Sequence, residues 1–379
     1  MKTKRVIRII SITIFFLFLC SPKAYKWWHF VQYAPLTENR LKIPRPKNWE
    51  ALFEPGGSYA HKYEEYFNDN YGLRDLFIRL KNQADFWLFR QSEEIVIGRE
   101  NWLFYKSVLE EQEIQTEGVP LAQFEIMFTR FLKLNRCLAG RGITLVIIPC
   151  PMNNTIYPEM VPANTARRPS PTGFQRYREF LHNHPEILSI DPSPQLLRLK
   201  DTWNVFHKTD WHWTDPAGAY IARDLVNLLG QKSGIGNLWD QPINPITRVF
   251  TGGGENNALA LLWPIREQYL VLDEVGMKRV PREFAFSHDL TEWHFRSKLP
   301  ADSKLLPPTV MFGDSYADAF LRAGFLIYFR SFQKFYNYRF REEFAKVPPD
   351  TRFLIFQLIE VNLNALQGDS IWPEEILHD

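Results

Sequence analysis

Short, almost wholly apolar segments alternate along this chain with segments of helical periodicity. The three clearest apolar runs are residues 143–148, 309–312 and 353–359. A strand with one face on water alternates polar and apolar residues, so these runs predict strands covered on both faces. Such strands, separated by helices, predict an α/β fold with a mainly parallel sheet and helices on both of its faces.

Other segments complete the predicted architecture. The predicted helices are two within 59–89, separated by a turn at 68–72, and those at 121–139, 173–183, 217–229 and 317–323. The predicted short strands are 94–97, 102–105, 187–190 and 325–329. The segment 230–308, rich in Trp, Pro and Gly, is interpreted as an insertion that forms one wall of a cleft.

Composition excludes several classes of protein. A chain of 379 residues with 45% hydrophobic and 23% charged residues is long and apolar enough to bury a core, which excludes a disordered protein. A formal net charge of +2 argues against nucleic-acid binding as the main function. Three Cys without a CxxC pair exclude a zinc ribbon. Cys137 and Cys150 could pair in an oxidising compartment, but two buried thiols are the simpler interpretation.

The N-terminus resembles an export signal. Four cations, Lys2, Lys4, Arg5 and Arg8, precede an apolar stretch at 9–20. We interpret 1–23 as a cytoplasmic tip and uncleaved signal anchor, with a cleaved signal peptide as the alternative. This predicts a stalk at 24–58 and a periplasmic or extracytoplasmic domain at 59–379, tethered to the inner membrane.

One motif follows the predicted strand 309–312. Gly313, Asp314 and Ser315 lie between that strand and a predicted helix, so Ser315 should lie at the carboxyl edge of the sheet, where ligands of open α/β sheets bind. The helix N-terminus would supply N–H groups to an oxyanion, and Gly313 would allow close approach. Ser315 is a candidate nucleophile; the alternative is a simple helix cap.

A second motif could supply the base. Asp210 and His212 are two residues apart in a predicted loop, and both could face Ser315 if the loop bends. The alternative is a metal pair or a surface turn, but a metal site needs a third ligand, for which His207 is the only nearby candidate. A third segment, at 149–159, places Asn153 and Asn154 after a strand, where they could donate hydrogen bonds to substrate or cap the loop.

Together these motifs resemble the alginate O-acetyltransferase family, whose catalytic domain resembles the SGNH hydrolases. The matching segments, in the family's order, are 67–74 (FNDNYGLR), 95–105 (IVIGRENWLFY), 149–159 (PCPMNNTIYPE), 210–214 (DWHWT) and 313–315 (GDS). The sequence departs from the family pattern at Asn101, Trp211 and the Asn153–Asn154 pair, and it lacks an Arg after Glu360. The resemblance implies an SGNH hydrolase-like three-layer α/β/α sandwich.

The resemblance also implies a reaction. Ser315 would form an acetyl-enzyme, His212 would act as general base and then general acid, and Asp210 would orient His212. Asn153 or Asn154 could complete the oxyanion site. Trp211, Trp213 and Tyr316 could stack on sugar rings, although core packing is the expected role of at least one of them.

The implied acceptor is a polysaccharide, and no metal or organic cofactor is required. The implied partners are a multispanning membrane acyltransferase that delivers acetyl groups and other exopolysaccharide-assembly proteins. An acetyl esterase with the same triad and a non-catalytic scaffold are the alternatives.

Overall fold

The structure, a computed structural model, describes residues 2–28, 36, 41–46, 58–110, 121–163, 165, 171–277, 285–286 and 292–377. Most of the predicted stalk, and part of the segment 230–308, lie outside the described residues. The chain divides into two compact units, one of residues 1–95 with 252–265 and the other of residues 96–251 with 266–379.

The described elements are numbered in chain order. The helices are α1 (Lys2–Trp28), α2 (Ser58–Asp69), α3 (Arg74–Phe89), α4 (Leu121–Gly140), α5 (Asn153–Ile156), α6 (Gly173–Asn183), α7 (Ser193–Leu199), α8 (Asp215–Lys232), α9 (Gly254–Leu259), α10 (Asp318–Arg322), α11 (Phe340–Glu343) and α12 (Glu374–Leu377). The strands are β1 (Ile95–Ile97), β2 (Leu103–Tyr105), β3 (Thr144–Cys150), β4 (Leu188–Ser189), β5 (Pro245–Phe250), β6 (Glu267–Leu272), β7 (Ala285–Phe286), β8 (Trp293–Arg296), β9 (Thr309–Gly313), β10 (Ser331–Tyr336) and β11 (Phe353–Ile359).

The first unit contains α1, α2, α3 and α9. Polar side chains on one face of α3 bind the returning segment: Arg79 donates to the Leu261 carbonyl at 2.8 Å, and the Gln83 side chain accepts from the Trp263 N–H at 3.0 Å. The two helices predicted within 59–89 are confirmed. Helix α1 continues to Trp28, where an irregular stalk was expected from residue 24. Among the described residues, no helix is both long enough and apolar enough to cross a membrane.

The second unit is built on a seven-stranded sheet of order β4-β3-β11-β9-β10-β8-β7. The pairings from β4 to β10 are parallel, and β8 and β7 add antiparallel strands at one edge. The predicted mainly parallel sheet is therefore confirmed. The segment 230–308 supplies the antiparallel edge and a separate two-stranded sheet of β5 and β6.

Apolar residues of the central strands alternate between two cores. On β3, Val146 and Ile148 face one core, which includes apolar residues of α8, and Leu145 and Ile147 face the other, which includes residues of α4 and α6. Strands buried on both faces favour apolar side chains on both faces, which explains why the apolar runs show little alternation.

One strand prediction is wrong. The segment 325–329 forms a 3₁₀ turn at Phe325–Tyr328, after Gly324 in the left-handed conformation. The strand is instead Ser331–Tyr336, in which Gln333 and Lys334 interrupt the apolar pattern. A short apolar run alone cannot distinguish a buried turn of helix from a strand.

The described cysteines are all free thiols. Burial raises the pKa of Cys150 well above its ordinary value, and its sulfur accepts a hydrogen bond from Gln357 at 3.4 Å. Cys137 and Cys150 are therefore unpaired, as expected, but only Cys150 is buried, and Cys137 is partly exposed.

Candidate active site

The turn after β9 places Ser315 at the carboxyl edge of the sheet, as predicted. Ser315 is the first residue of a single 3₁₀ turn, Ser315–Ala317. Gly313 ends the strand, and a Cβ at that position would lie 2.8 Å from Oε1 of Gln357. A larger residue would displace the Gln357 amide, which accepts the Asp314 N–H and donates to the Asp314 carboxylate, so glycine preserves both bonds.

The carboxylate of Asp314 holds the turn that begins at Ser315 in place. Its buried carboxylate accepts hydrogen bonds from the Gln357 amide at 2.7 Å, the Asn337 amide at 3.2 Å, and the backbone N–H groups of Tyr316 and Ile359 at 3.0 Å each. Burial raises the pKa of Asp314, and the hydrogen bonds from Gln357, Tyr316 and Ile359 oppose that rise. This carboxylate is fully engaged in supporting the turn.

The loop after residue 206 brings Asp210 and His212 to Ser315. His212 Nε2 lies 2.8 Å from Ser315 Oγ, and His212 Nδ1 lies 2.5 Å from Asp210 Oδ1. The same carboxylate oxygen accepts the His212 backbone N–H at 2.8 Å, which closes the bend that lets residues two apart cooperate. The three residues therefore form the connected line that nucleophile, base and orienting acid require.

Glu267, at the start of β6, holds this loop and was missed by sequence reasoning. Its buried carboxylate accepts the Thr209 N–H at 2.7 Å and lies 3.2 Å from Nδ1 of His207. His207, considered above as a metal ligand, therefore contacts Glu267 and packs against the rings of Phe250 and Tyr269. A glutamate in a segment of unclear structure gives no sequence signal for this role.

Trp213 and Tyr316 pack below the three residues. Their side chains are 1% and 0% exposed, and their ring centroids lie 4.8 Å apart. The Trp213 indole N–H donates to the Tyr316 carbonyl at 3.0 Å, and the Tyr316 hydroxyl donates to the Trp211 carbonyl at 2.7 Å. Neither ring presents a face to solvent, so the expected stacking on sugar is corrected to a packing role.

The two asparagines begin the single-turn helix α5 and are buried. Asn153 accepts the Asn154 N–H at 2.8 Å and donates to the Leu103 carbonyl at 3.5 Å. Glu360 holds the same loop, because its carboxylate accepts the Met152 N–H at 3.0 Å and the Thr155 hydroxyl at 2.6 Å. An oxyanion role for Asn153 or Asn154 stays a prediction.

Tyr336 is a second residue that sequence reasoning missed. The parallel register pairs it with Gly313, so the last residue of β10 lies beside the nucleophile turn. Burial is the main cause that raises the pKa of Tyr336 to about 12, and a side-chain hydrogen bond with Ser315 opposes the rise. The phenol is therefore neutral at physiological pH.

A buried cation lies behind Tyr336. The Lys334 ammonium lies 4.0 Å from the Asp318 carboxylate and 4.8 Å from the centroid of the Trp293 ring. Burial raises the pKa of Asp318, while the positive charge of Lys334 opposes that rise.

Comparisons with known proteins agree with one another. A family model described as "SGNH hydrolase-like domain, acetyltransferase AlgX" matches residues 95–244, which include Asp210 and His212. A probable alginate O-acetylase AlgJ of Pseudomonas aeruginosa is 29% identical over 265 residues, which are 68% of this chain and 62% of that protein. A second, from Pseudomonas syringae pv. tomato, is 22% identical over 236 residues, which are 60% of this chain and 54% of that protein. The chain thus spans between about half and two thirds of the length of these relatives.

Two solved structures are also similar. The O-acetyltransferase domain of Pseudomonas putida AlgJ has 17% identity and a TM-score of 0.47, over 75% of this chain and 97% of that chain. Bacillus cereus PatB1 has 13% identity and a TM-score of 0.49, over 72% of this chain and 97% of that chain. By the family model over residues 95–244 and the curated relatives, this chain is similar to the alginate O-acetyltransferases and has an SGNH hydrolase-like fold.

Proposed function

We propose that this chain is an O-acetyltransferase that moves an acetyl group through Ser315 onto hydroxyls of an extracytoplasmic polysaccharide. The observation that carries the proposal is the connected line from Asp210 through His212 to Ser315, with separations of 2.5 and 2.8 Å. The names of the AlgJ relatives, probable alginate O-acetylases, supply the acetyl group and the polysaccharide class.

In the first half of the reaction, Ser315 Oγ attacks the carbonyl carbon of the acetyl donor. His212 Nε2 accepts the hydroxyl proton as the C–O bond forms, and Asp210 stabilises the resulting imidazolium through Nδ1–H. The bond to the donor then breaks, and His212 returns the proton to the leaving group. An acetyl ester on Ser315 is left.

The backbone N–H of Ser315 is the proposed oxyanion donor. The Asp314 N–H already donates to Gln357, and the Tyr316 N–H already donates to Asp314. Ser315 begins its helical turn, where the N–H has no carbonyl partner within the turn. This leaves its N–H to stabilise the negative charge that develops on the acetyl oxygen.

In the second half, a sugar hydroxyl attacks the carbonyl carbon of the acetyl ester while His212 Nε2 accepts its proton. The ester bond to Ser315 then breaks, and His212 returns the proton to Ser315 Oγ. Water in place of the sugar would make the same residues an esterase, so the identity of the acceptor distinguishes the two activities. Acetylation of a polymer outside the cytoplasm needs an acetyl donor at the membrane. We propose a multispanning acyltransferase as that donor, together with other exopolysaccharide-assembly proteins.

Export is part of the proposal, because the cations at Lys2, Lys4, Arg5 and Arg8 precede an apolar segment. Alkaline phosphatase fused after Asp379 should be active in cells. An inactive fusion, at normal expression, would contradict export.

The test of transfer uses the full-length chain, p-nitrophenyl acetate as donor and an unacetylated alginate hexasaccharide as acceptor. The expected result is acetylated hexasaccharide, detected by mass spectrometry, with less free acetate formed for each p-nitrophenol released. Ser370→Ala, at an exposed serine outside the site, should transfer at the wild-type rate. Release of free acetate unchanged by the acceptor would favour the esterase.

A further inference from the structure

A transferase must hold its acceptor close to the acetyl ester, and the buried rings of Trp213 and Tyr316 cannot do this. The inference that follows rests on the proposed function. It concerns the segment that leaves β10, where Tyr336 and Tyr338 flank Asn337.

This segment is fixed to the nucleophile turn by two buried hydrogen bonds. The Asn337 amide donates to Asp314 Oδ2 at 3.2 Å and to the Gln357 carbonyl at 3.1 Å. Asp314 precedes Ser315, so the position of the tyrosines relative to Ser315 is set by covalent geometry and these bonds. The parallel pairing of Tyr336 with Gly313 sets the same position independently.

The two tyrosine rings form a pair with one exposed member. Their centroids lie 4.4 Å apart at an interplanar angle of 42°, and Tyr338 is 61% exposed. The Lys334 ammonium lies 5.3 Å from the centroid of the partly buried Tyr336 ring. Tyr336 is therefore held in place by Lys334 and by Tyr338, while Tyr338 keeps contact with solvent.

We propose that the Tyr336–Tyr338 pair is an acceptor subsite, in which the exposed Tyr338 ring stacks on a pyranose ring of the polysaccharide. The axial C–H groups of a pyranose form an apolar face that packs on an aromatic ring, and the tyrosine hydroxyl leaves one edge of the contact polar. Two χ angles and a stacked neighbour make the ring rigid, so little conformational entropy is lost on binding. A sugar seated there lies beside the strand end that carries Ser315.

The test measures binding of an unacetylated alginate hexasaccharide to full-length Ser315→Ala protein by isothermal titration calorimetry. Adding Tyr338→Ala should weaken binding about tenfold. Tyr338→Phe keeps the ring and should bind within about twofold of the parent, which separates stacking from general damage. Tyr63→Ala is the matched control, because Tyr63 is also an exposed tyrosine stacked on another, Tyr59, on helix α2 of the other unit.

The subsite is overturned if Tyr338→Ala binds like its parent, if Tyr63→Ala weakens binding equally, or if the parent binds no hexasaccharide. Because binding is measured without Ser315, it does not depend on turnover. Weakened binding in Tyr338→Ala, with no acetyl transfer by the wild type, would refute the transferase and keep the subsite. Acetyl transfer by the wild type, with unaffected binding in Tyr338→Ala, would refute the subsite and keep the transferase.

Discussion

Two pairs of aromatic residues lie near the candidate nucleophile, and they differ in their sequence distance from it and in their exposure to solvent. Trp213 and Tyr316 directly follow His212 and Ser315 in sequence, yet both are buried and pack below the triad. Tyr336 and Tyr338 lie more than twenty residues after Ser315, yet the sheet register brings Tyr336 beside the Ser315 turn, and the exposed Tyr338 ring packs on Tyr336. Successive side chains point in different directions. The residues that directly follow His212 and Ser315 therefore pack in the core beneath them. The exposed ring near the candidate nucleophile, Tyr338, follows a different strand, β10.

The largest expected effect comes from a change that touches neither pair. Asp210→Asn keeps the shape of the loop but no longer holds His212 in the tautomer that accepts the Ser315 proton. Turnover of p-nitrophenyl acetate should fall about ten-thousand-fold. Asp302→Asn, at an exposed site, should hydrolyse the ester at the wild-type rate. A decrease of less than tenfold for Asp210→Asn would mean that Asp210 does not orient the base.

Truncating one ring from each pair tests the comparison itself. Trp213→Ala opens a cavity in the core and should lower the free energy of unfolding by about 3–5 kcal/mol. Tyr338→Ala removes an exposed ring and should change it by no more than about 0.5 kcal/mol. Urea unfolding of the full chain measures both values. Equal losses would show that the two pairs do not differ in the way described.

The smallest expected effect concerns Asp314. Its carboxylate accepts the N–H of Tyr316, in the buried pair, and the amide of Asn337, which lies between the two residues of the other pair. Burial raises its pKa in the folded chain, so the protonated carboxyl contributes stability that is fully present below the unfolded pKa. That contribution is lost as pH rises through the folded pKa. Asn does not titrate, so the wild type should lose stability relative to Asp314→Asn as pH rises above about 4.

The measurement is urea unfolding of both proteins across about pH 4–8. A difference in unfolding free energy that stays constant across this range would contradict a raised pKa for Asp314. A difference that grows in favour of the wild type would indicate a lowered pKa instead.

The sequence predicted what local patterns encode. Nearly unbroken apolar runs identified β3, β9 and β11, because strands covered on both faces are mostly apolar. The polar residue inside β11, Gln357, is buried and bonded to Asp314. The Asp210, His212 and Ser315 motifs identified the residues that the structure brings together. Strand β10 was missed because Lys334 interrupts its apolar pattern, although the structure buries this lysine against the Trp293 ring.

Long-range register explains the remaining omissions. Tyr336 reaches Ser315 only because β10 pairs with β9, and Glu267 reaches the Thr209 N–H across 58 residues of sequence. Neither contact leaves a spacing pattern in the chain. The sequence also could not predict which rings are exposed. Trp and Tyr each have a large apolar ring and one polar group, so either residue type can lie in a core or on a surface.

The most direct test of the account is turnover of p-nitrophenyl acetate by the full-length wild type, Ser315→Ala and His212→Ala, with circular dichroism to verify the fold. We expect wild-type turnover, an acetyl group located on Ser315 by mass spectrometry, and loss of activity in both folded variants. Turnover that survives in both variants would contradict the central claim that Ser315 and His212 perform acyl transfer.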